Sequence, residues 1–179
     1  MNKEKSFNKI LFVLISLAAG LVSILIVNEL FKGLVTFILT GANIDFVFRG
    51  IMLDAQIPAG ELHSLATYTA IFLSPYLLSI ILIEISLMIL TKTTNDRFRS
   101  SVIIYQLVNI GYLIFTTVLG ILTLVLKASV STNWSRLMEF GNYSRGEKIM
   151  FMFFILILLL TYINILTKRI RKNIPVMSK

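Results

Sequence analysis

A chain of 179 residues, 56% of them hydrophobic and 15% charged, with a mean hydropathy of +0.85, lies outside the composition of soluble domains and reads as an integral membrane protein. The absence of cysteine removes disulfides, thiolate metal sites and a cysteine nucleophile, and a single histidine, His63, removes zinc sites built on several imidazoles. The formal charge of +8 is spread around apolar spans, a pattern of membrane topology, so membrane lipids are expected as partners and nucleic acid is not.

The N-terminus, MNKEKSFNKILFVLISLAAGLVSILIV, has the basic flank and apolar core of a signal peptide, but its apolar run continues past LAAG, which predicts a retained signal-anchor helix. Four segments are long and apolar enough to cross a bilayer as helices: residues 10–31, 65–91, 102–126 and 149–167. The first can run on through KGLVTFILT to about residue 39, a helix of about 45 Å that must either tilt or break near Lys32 and Gly33. The fold class expected is therefore an all-α integral membrane protein, one four-helix transmembrane domain over residues 1–179 with a short β-hairpin between helices 1 and 2. Basic residues set the orientation: Lys3, Lys5, Lys9, Lys92, Arg97, Arg99, Lys168, Arg169, Arg171, Lys172 and Lys179 gather in the shorter segments, which places both termini in the cytoplasm.

After the first span, Ile44, Phe46 and Phe48 alternate with Asp45, Val47 and Arg49, and Ile51, Leu53 and Ala55 continue beyond an Arg-Gly turn. This is the pattern of a hairpin at the membrane surface, or of an extended loop whose apolar residues dip into the interface. Residues 128–148 form the second long connection, where Trp134, Leu137, Met138 and Phe140 suit a short interfacial helix with its indole at headgroup depth. Two sequons, at Asn133 and Asn142, lie on the same predicted outer face. The basic tail KRIRKNIPVMSK anchors the last span against anionic headgroups.

Polar residues inside the spans are the candidate sites. Glu84, Gln106, Asn109, Thr161 and Asn164 fall at similar depth in the cytoplasmic half, Glu84 about 12 Å from the end of its span, and define an intramembrane polar layer. Such a layer suits a small transporter or proton-conducting subunit using Glu84. Against it, a protonated Glu84 hydrogen-bonded to Gln106 or Asn109 serves as glue between helices, since no cation stands out at that depth. We expect the structural role, because transport usually requires more than one titratable group. In the first span Asn28, Glu29 and Lys32 crowd within about one turn, and Glu29 and Lys32, three residues apart, can pair.

The order NELFKGLVTFILTGANIDFVFRG, a spacer, then YTAIFLSPYLLSIIL resembles the membrane-embedded metallopeptidases of the site-2 protease type, and more closely the zincin-like peptidases related to them. In that family a helix carries H-E-L-x-H-G, a hairpin-like segment follows, and a second helix begins with a small-residue or Ser/Ala-Pro motif. The resemblance covers residues 20–90 and puts Asn28, Glu29, Leu30, Phe31, Lys32 and Gly33 on the helix motif and Ser74-Pro75 on the second. Two histidines of the motif bind zinc and its glutamate takes a proton from metal-bound water. Here the ligand positions hold Asn28, a poor donor, and Lys32, a cation; the third span offers Asn109 but no carboxylate, and His63 lies beyond the hairpin. The resemblance thus implies a degenerate metal motif with no metal, no cofactor and no catalysis, and Lys32 standing in for the metal beside Glu29. The function expected is a pseudoprotease-like subunit or binding component of a membrane complex. Its partner is another membrane or secreted protein, received on the hairpin of residues 44–57 by strand addition or on the helix faces.

Overall fold

A computed structural model describes residues 3–58, 64–126, 132–140 and 143–173. The first helix is a single rod in three parts, α1 (Lys3–Val22), a π-helical turn (Ser23–Val27) and α2 (Asn28–Thr40). It neither breaks nor ends near Lys32 and Gly33. Its one irregularity, the π-turn, lies just before Asn28, and the helix stops where Gly41 adopts a left-handed conformation (φ 70°) and returns its N–H to the Phe37 carbonyl. A two-stranded antiparallel hairpin follows, β1 (Asp45–Arg49) and β2 (Met52–Gln56), in the register Arg49 with Met52, Val47 with Asp54 and Asp45 with Gln56. Gly50, at φ 67°, supplies the positive dihedral of the tight turn. The alternation seen in the sequence is therefore a true hairpin.

Three further long helices complete the bundle: α3 (Leu65–Lys92), α4 (Asp96–Leu126) and α6 (Arg145–Asn173), with the short α5 (Asn133–Phe140) before the last. Four helical stretches, Ile10–Thr40, Leu65–Lys92, Phe98–Leu126 and Arg145–Lys172, are long and apolar enough to span a bilayer. The chain is an all-α, multi-pass membrane protein with one small hairpin. The Ser74-Pro75 pair does not open the second span: α3 starts at Leu65, capped by the Ser64 side chain, and both residues are buried inside it.

Because lipid is as apolar as leucine, close packing rather than burial from water holds such helices together. Small residues provide the approach. A Cβ added at Gly20 would stand 2.8 Å from Val108, so α1 and α4 meet there. One at Gly120 would stand 2.8 Å from Met152 and 3.1 Å from the Trp134 Cβ, where α4, α5 and α6 converge. Buried hydroxyls on these helices satisfy themselves locally, Ser74 donating to Ile71 O (2.7 Å), Ser86 to Ile83 O (2.8 Å) and Thr117 to Leu113 O (2.8 Å). The core lies along α3, around Ile71, Phe72, Ile83, Leu87 and Leu90.

The Trp134 indole is 4% exposed and stacked on Tyr76 at 4.6 Å, so α5 packs into the bundle, with Trp134, Leu137 and Met138 buried. The contacts at Gly120, Tyr76 and Met152 place Trp134 about 9–16 Å inside the ends of the three long helices. The start of α5 is closed by a reciprocal cap, Thr132 N–H to Ser135 Oγ (2.8 Å) and Ser135 N–H to Thr132 Oγ1 (3.0 Å). Arg145 donates to the terminal carbonyls of α4, Leu124 (3.1 Å) and Val125 (2.6 Å), tying the connection back to its start.

Candidate functional site

Asn28, Glu29 and Lys32 do converge, and the hairpin completes them. Lys32 is fully buried and its ammonium forms an ion pair with Glu29. Asp54 of β2 stands 4.0 Å from the same nitrogen, and Arg49 of β1 pairs with Asp54 at 3.1 Å. The result is an alternating chain of two cations and two carboxylates. Phe72 of α3 presents its ring 6.0 Å from the Lys32 ammonium. Glu29 also accepts the backbone N–H of Ala55 (3.2 Å), so the motif helix holds the outer edge of β2 directly.

Asn28, fully buried, donates to Ser79 of α3 (3.2 Å), and Tyr112 of α4 lies adjacent. Ser23, in the π-turn, shares a 3.1 Å hydrogen bond with Tyr105 of α4. The π-turn is therefore followed at once by a helix whose polar residues address α3 and the hairpin, while the turn itself addresses α4.

Glu29, Lys32, Arg49 and Asp54 line a cavity of about 580 Å³ that Tyr76, Tyr112, Thr116 and Arg136 also border. Irregular backbone at membrane depth is tolerated where it is buried in protein or lines a polar cavity. Both the hairpin and the start of α5 do so.

The intramembrane polar layer does not form. Glu84 points to α6, where its carboxylate takes two 2.9 Å hydrogen bonds from Arg169 and one of 3.0 Å from the Tyr162 hydroxyl. The expected hydrogen bond of Glu84 to Gln106 or Asn109 is not made, because another partner is at hand: Arg169, counted only as part of a basic anchor, reaches Glu84 from near the end of α6. Gln106 and Asn109 are buried in α4, and the Asn109 amide donates to its own helix at Tyr105 O (3.0 Å). Thr161 is exposed and bonds its own helix at Ile157 O (2.9 Å), and Asn164 is exposed. These five residues share a depth and not a face.

The residues present do not suit the zinc that the family resemblance carries with it. The Lys32 ammonium, a cation, fills the space beside Glu29, and among the described residues no three His, Cys, Asp or Glu side chains converge. His63 and Asn142 lie outside the described residues. Asn133 lines the cavity, and the Ser135 hydroxyl of its sequon is committed to the α5 cap.

Sequence reasoning missed Asp54, Ser79 and Arg169. Asp54 carried a usable signal, since the hairpin alternation puts it on the face of Arg49; the other two follow only from how the helices pack. No protein-family model, curated protein or solved structure matches this chain.

Proposed function

We propose that this chain is a non-catalytic membrane protein, a binding component of a larger membrane assembly, whose hairpin receives an extended segment of a polypeptide along β1. The observation that carries this is the open edge of β1. Among the described residues β1 pairs only with β2, and all five of its residues are exposed. The Ala55 N–H points away from β1, to Glu29. By antiparallel alternation its partner Phe46, and Phe48 two residues on, turn their own N–H and C=O groups outward on the opposite edge.

On the side of the hairpin toward α2, the Phe46 ring packs against Gly33 while Glu29 holds the far edge of β2, so the edge of β1 is left open. The row of unpaired N–H and C=O groups along an open strand edge is a template for pairing with another chain. An added strand satisfies it.

The buried ion pair supports a non-catalytic reading. Lys32 neutralises the would-be general base Glu29 and repels a metal, and the retained glutamate binds the hairpin instead. The likeness to site-2 protease-type peptidases then describes a scaffold whose metal site has become a structural clasp. The transport reading loses ground, because Glu84 is bound to Arg169 and Tyr162 and stands apart from Gln106 and Asn109.

Extraction in mild detergent followed by native mass determination tests the proposal. An assembly larger than one chain is expected. A monodisperse monomer with no associated polypeptide overturns the binding role, and stoichiometric zinc in the purified protein overturns the clasp.

A further inference from the structure

The cavity of about 580 Å³ beside the Glu29–Lys32 pair is polar at one end and apolar at the other. We infer that it binds one phospholipid of net negative charge, its phosphate held at Arg49 and the start of α5 and one chain laid between the first helix and α4. The site uses side chains of the hairpin and not the open edge of β1, so it stands independently of an added strand.

The change of character runs along the helices. Leu21, Ile24 and Leu25 of the first helix face Val108, Gly111 and Phe115 of α4 across the cavity. On each helix these three recur at one face. They lie around the middle of the spans Ile10–Thr40 and Phe98–Leu126. This wall is open to the surroundings, since Leu21, Gly111 and Phe115 are exposed and a Cβ added at Gly111 would meet nothing within 4 Å. Further along the same helices the lining turns polar, with Glu29, Lys32 and Thr116, joined by Asn133 and Arg136 of α5. Polar groups toward the end of a span and apolar ones at its middle repeat the order of a lipid in one leaflet, head outward and chain inward. The volume falls within that of sites for small ligands.

The sign of the head follows from which charges are already committed. Glu29 holds Lys32 and the Ala55 N–H. Asp54 accepts from Arg49 Nε at 3.1 Å and from Gln56 Nε2 at 2.9 Å. A cationic head would have to displace these partners. Arg49, by contrast, is 66% exposed and uses only Nε on Asp54, which leaves the donors of its two terminal nitrogens for a ligand. The hairpin that carries it lies along the first helix, with Phe46 at Gly33, Ala55 at Glu29, and Met52 and Leu53 sharing the cavity with Leu21 and Leu25. An exposed guanidinium beside a spanning helix calls for an anion, and its planar fork matches phosphate oxygens. Thr132 and Asn133 bring the positive end of α5 to the same cavity.

Native mass spectrometry of the full chain tests this in detergent containing phosphatidylglycerol, phosphatidylcholine or diacylglycerol of the same chains, or glycerol phosphate. One phosphatidylglycerol per chain should be retained, with phosphatidylcholine held roughly tenfold less and diacylglycerol not at all. Glycerol phosphate should not displace it. Arg49→Gln lowers retention by roughly tenfold and Arg49→Lys by less, because the lost contact is charge-assisted. Gly111→Phe fills the chain's path and removes retention while leaving thermal unfolding without lipid unchanged. Ile157→Phe, exposed on α6, alters neither.

Equal retention of diacylglycerol, or retention that Arg49→Gln leaves unchanged, overturns the inference, since that is lipid coating the bundle. Displacement by glycerol phosphate at equal concentration assigns the cavity to a soluble phosphate and overturns the lipid. Full retention in folded Gly111→Phe overturns the path of the chain. If Gly111→Phe does not fold, Arg49→Gln and the diacylglycerol comparison decide.

Discussion

The ammonium of Lys32 is held against the carboxylate of Glu29, one turn earlier on the same helix, with Lys32 only 1% exposed. Water contributes little to such a pair, so each partner depends on the other. Removing one half of a buried pair costs about 3–5 kcal/mol, whereas replacing both by apolar groups of similar shape is often close to neutral. Lys32→Met should therefore destabilise strongly, and Glu29→Leu with Lys32→Met should recover only part of the loss, because Asp54 and the Ala55 N–H also lose a partner. Thermal unfolding in detergent, run as a double-mutant cycle, reads the coupling.

Glu29 also separates charge from geometry. Glu29→Gln keeps an oxygen for the Ala55 N–H, whereas Glu29→Ala removes it and frees β2 from the helix. Hydrogen exchange at Ala55 should rise sharply in Glu29→Ala and much less in Glu29→Gln. Equal exchange in the two variants would show that the backbone contact does not hold the hairpin.

Gly33 is the seat of the hairpin on α2. A Cβ there would collide with Phe46 Cζ and stand 2.8 Å from Cε1, so the ring must move. Gly33→Ala should cost about 1–3 kcal/mol by overpacking. Phe46→Leu in the same chain should return most of it, and unfolding of the single and double variants checks this.

Glu84 should carry no flux. With its carboxylate engaged by Arg169 and Tyr162, Glu84→Gln is expected to leave the proton and ion permeability of reconstituted vesicles unchanged at every pH. Its stability effect should be smaller than at Lys32, because both members of the pair are partly exposed and screening weakens them. A pH-dependent flux lost in Glu84→Gln would restore the transport reading.

Trp134 is the only tryptophan, so intrinsic fluorescence reports on α5 alone. Stacked on Tyr76 and buried against Gly120, it should emit in the blue and resist both aqueous quenchers and lipids brominated near the headgroup. Strong quenching by the lipids would place α5 on the membrane surface. Trp134→Ala should cost about 3–5 kcal/mol and Trp134→Phe much less, since the Nε1–H makes no hydrogen bond in the fold and its loss leaves nothing newly unsatisfied.

The spans, the hairpin and the pairing of Glu29 with Lys32 were legible in the order of residues, because each depends on local spacing: runs of about twenty apolar residues, alternation by two, and charges three apart on a helix. Positions set by packing between distant segments were not. The depth of Glu84, Gln106 and Asn109 along their helices follows from counting. Which way each points depends on helix rotation, and rotation in a bundle is set by where small residues such as Gly20 and Gly120 let neighbours approach. The π-turn at Ser23–Val27 adds its own rotation, which no hydrophobic period announces. Asp54 comes to Lys32 because a hairpin folds back along α2, and Arg169 comes to Glu84 because a long side chain can reach back along its helix. Local chemistry set the elements. The fold set which charges meet, since a buried charge must find its partner among whatever side chains packing brings near.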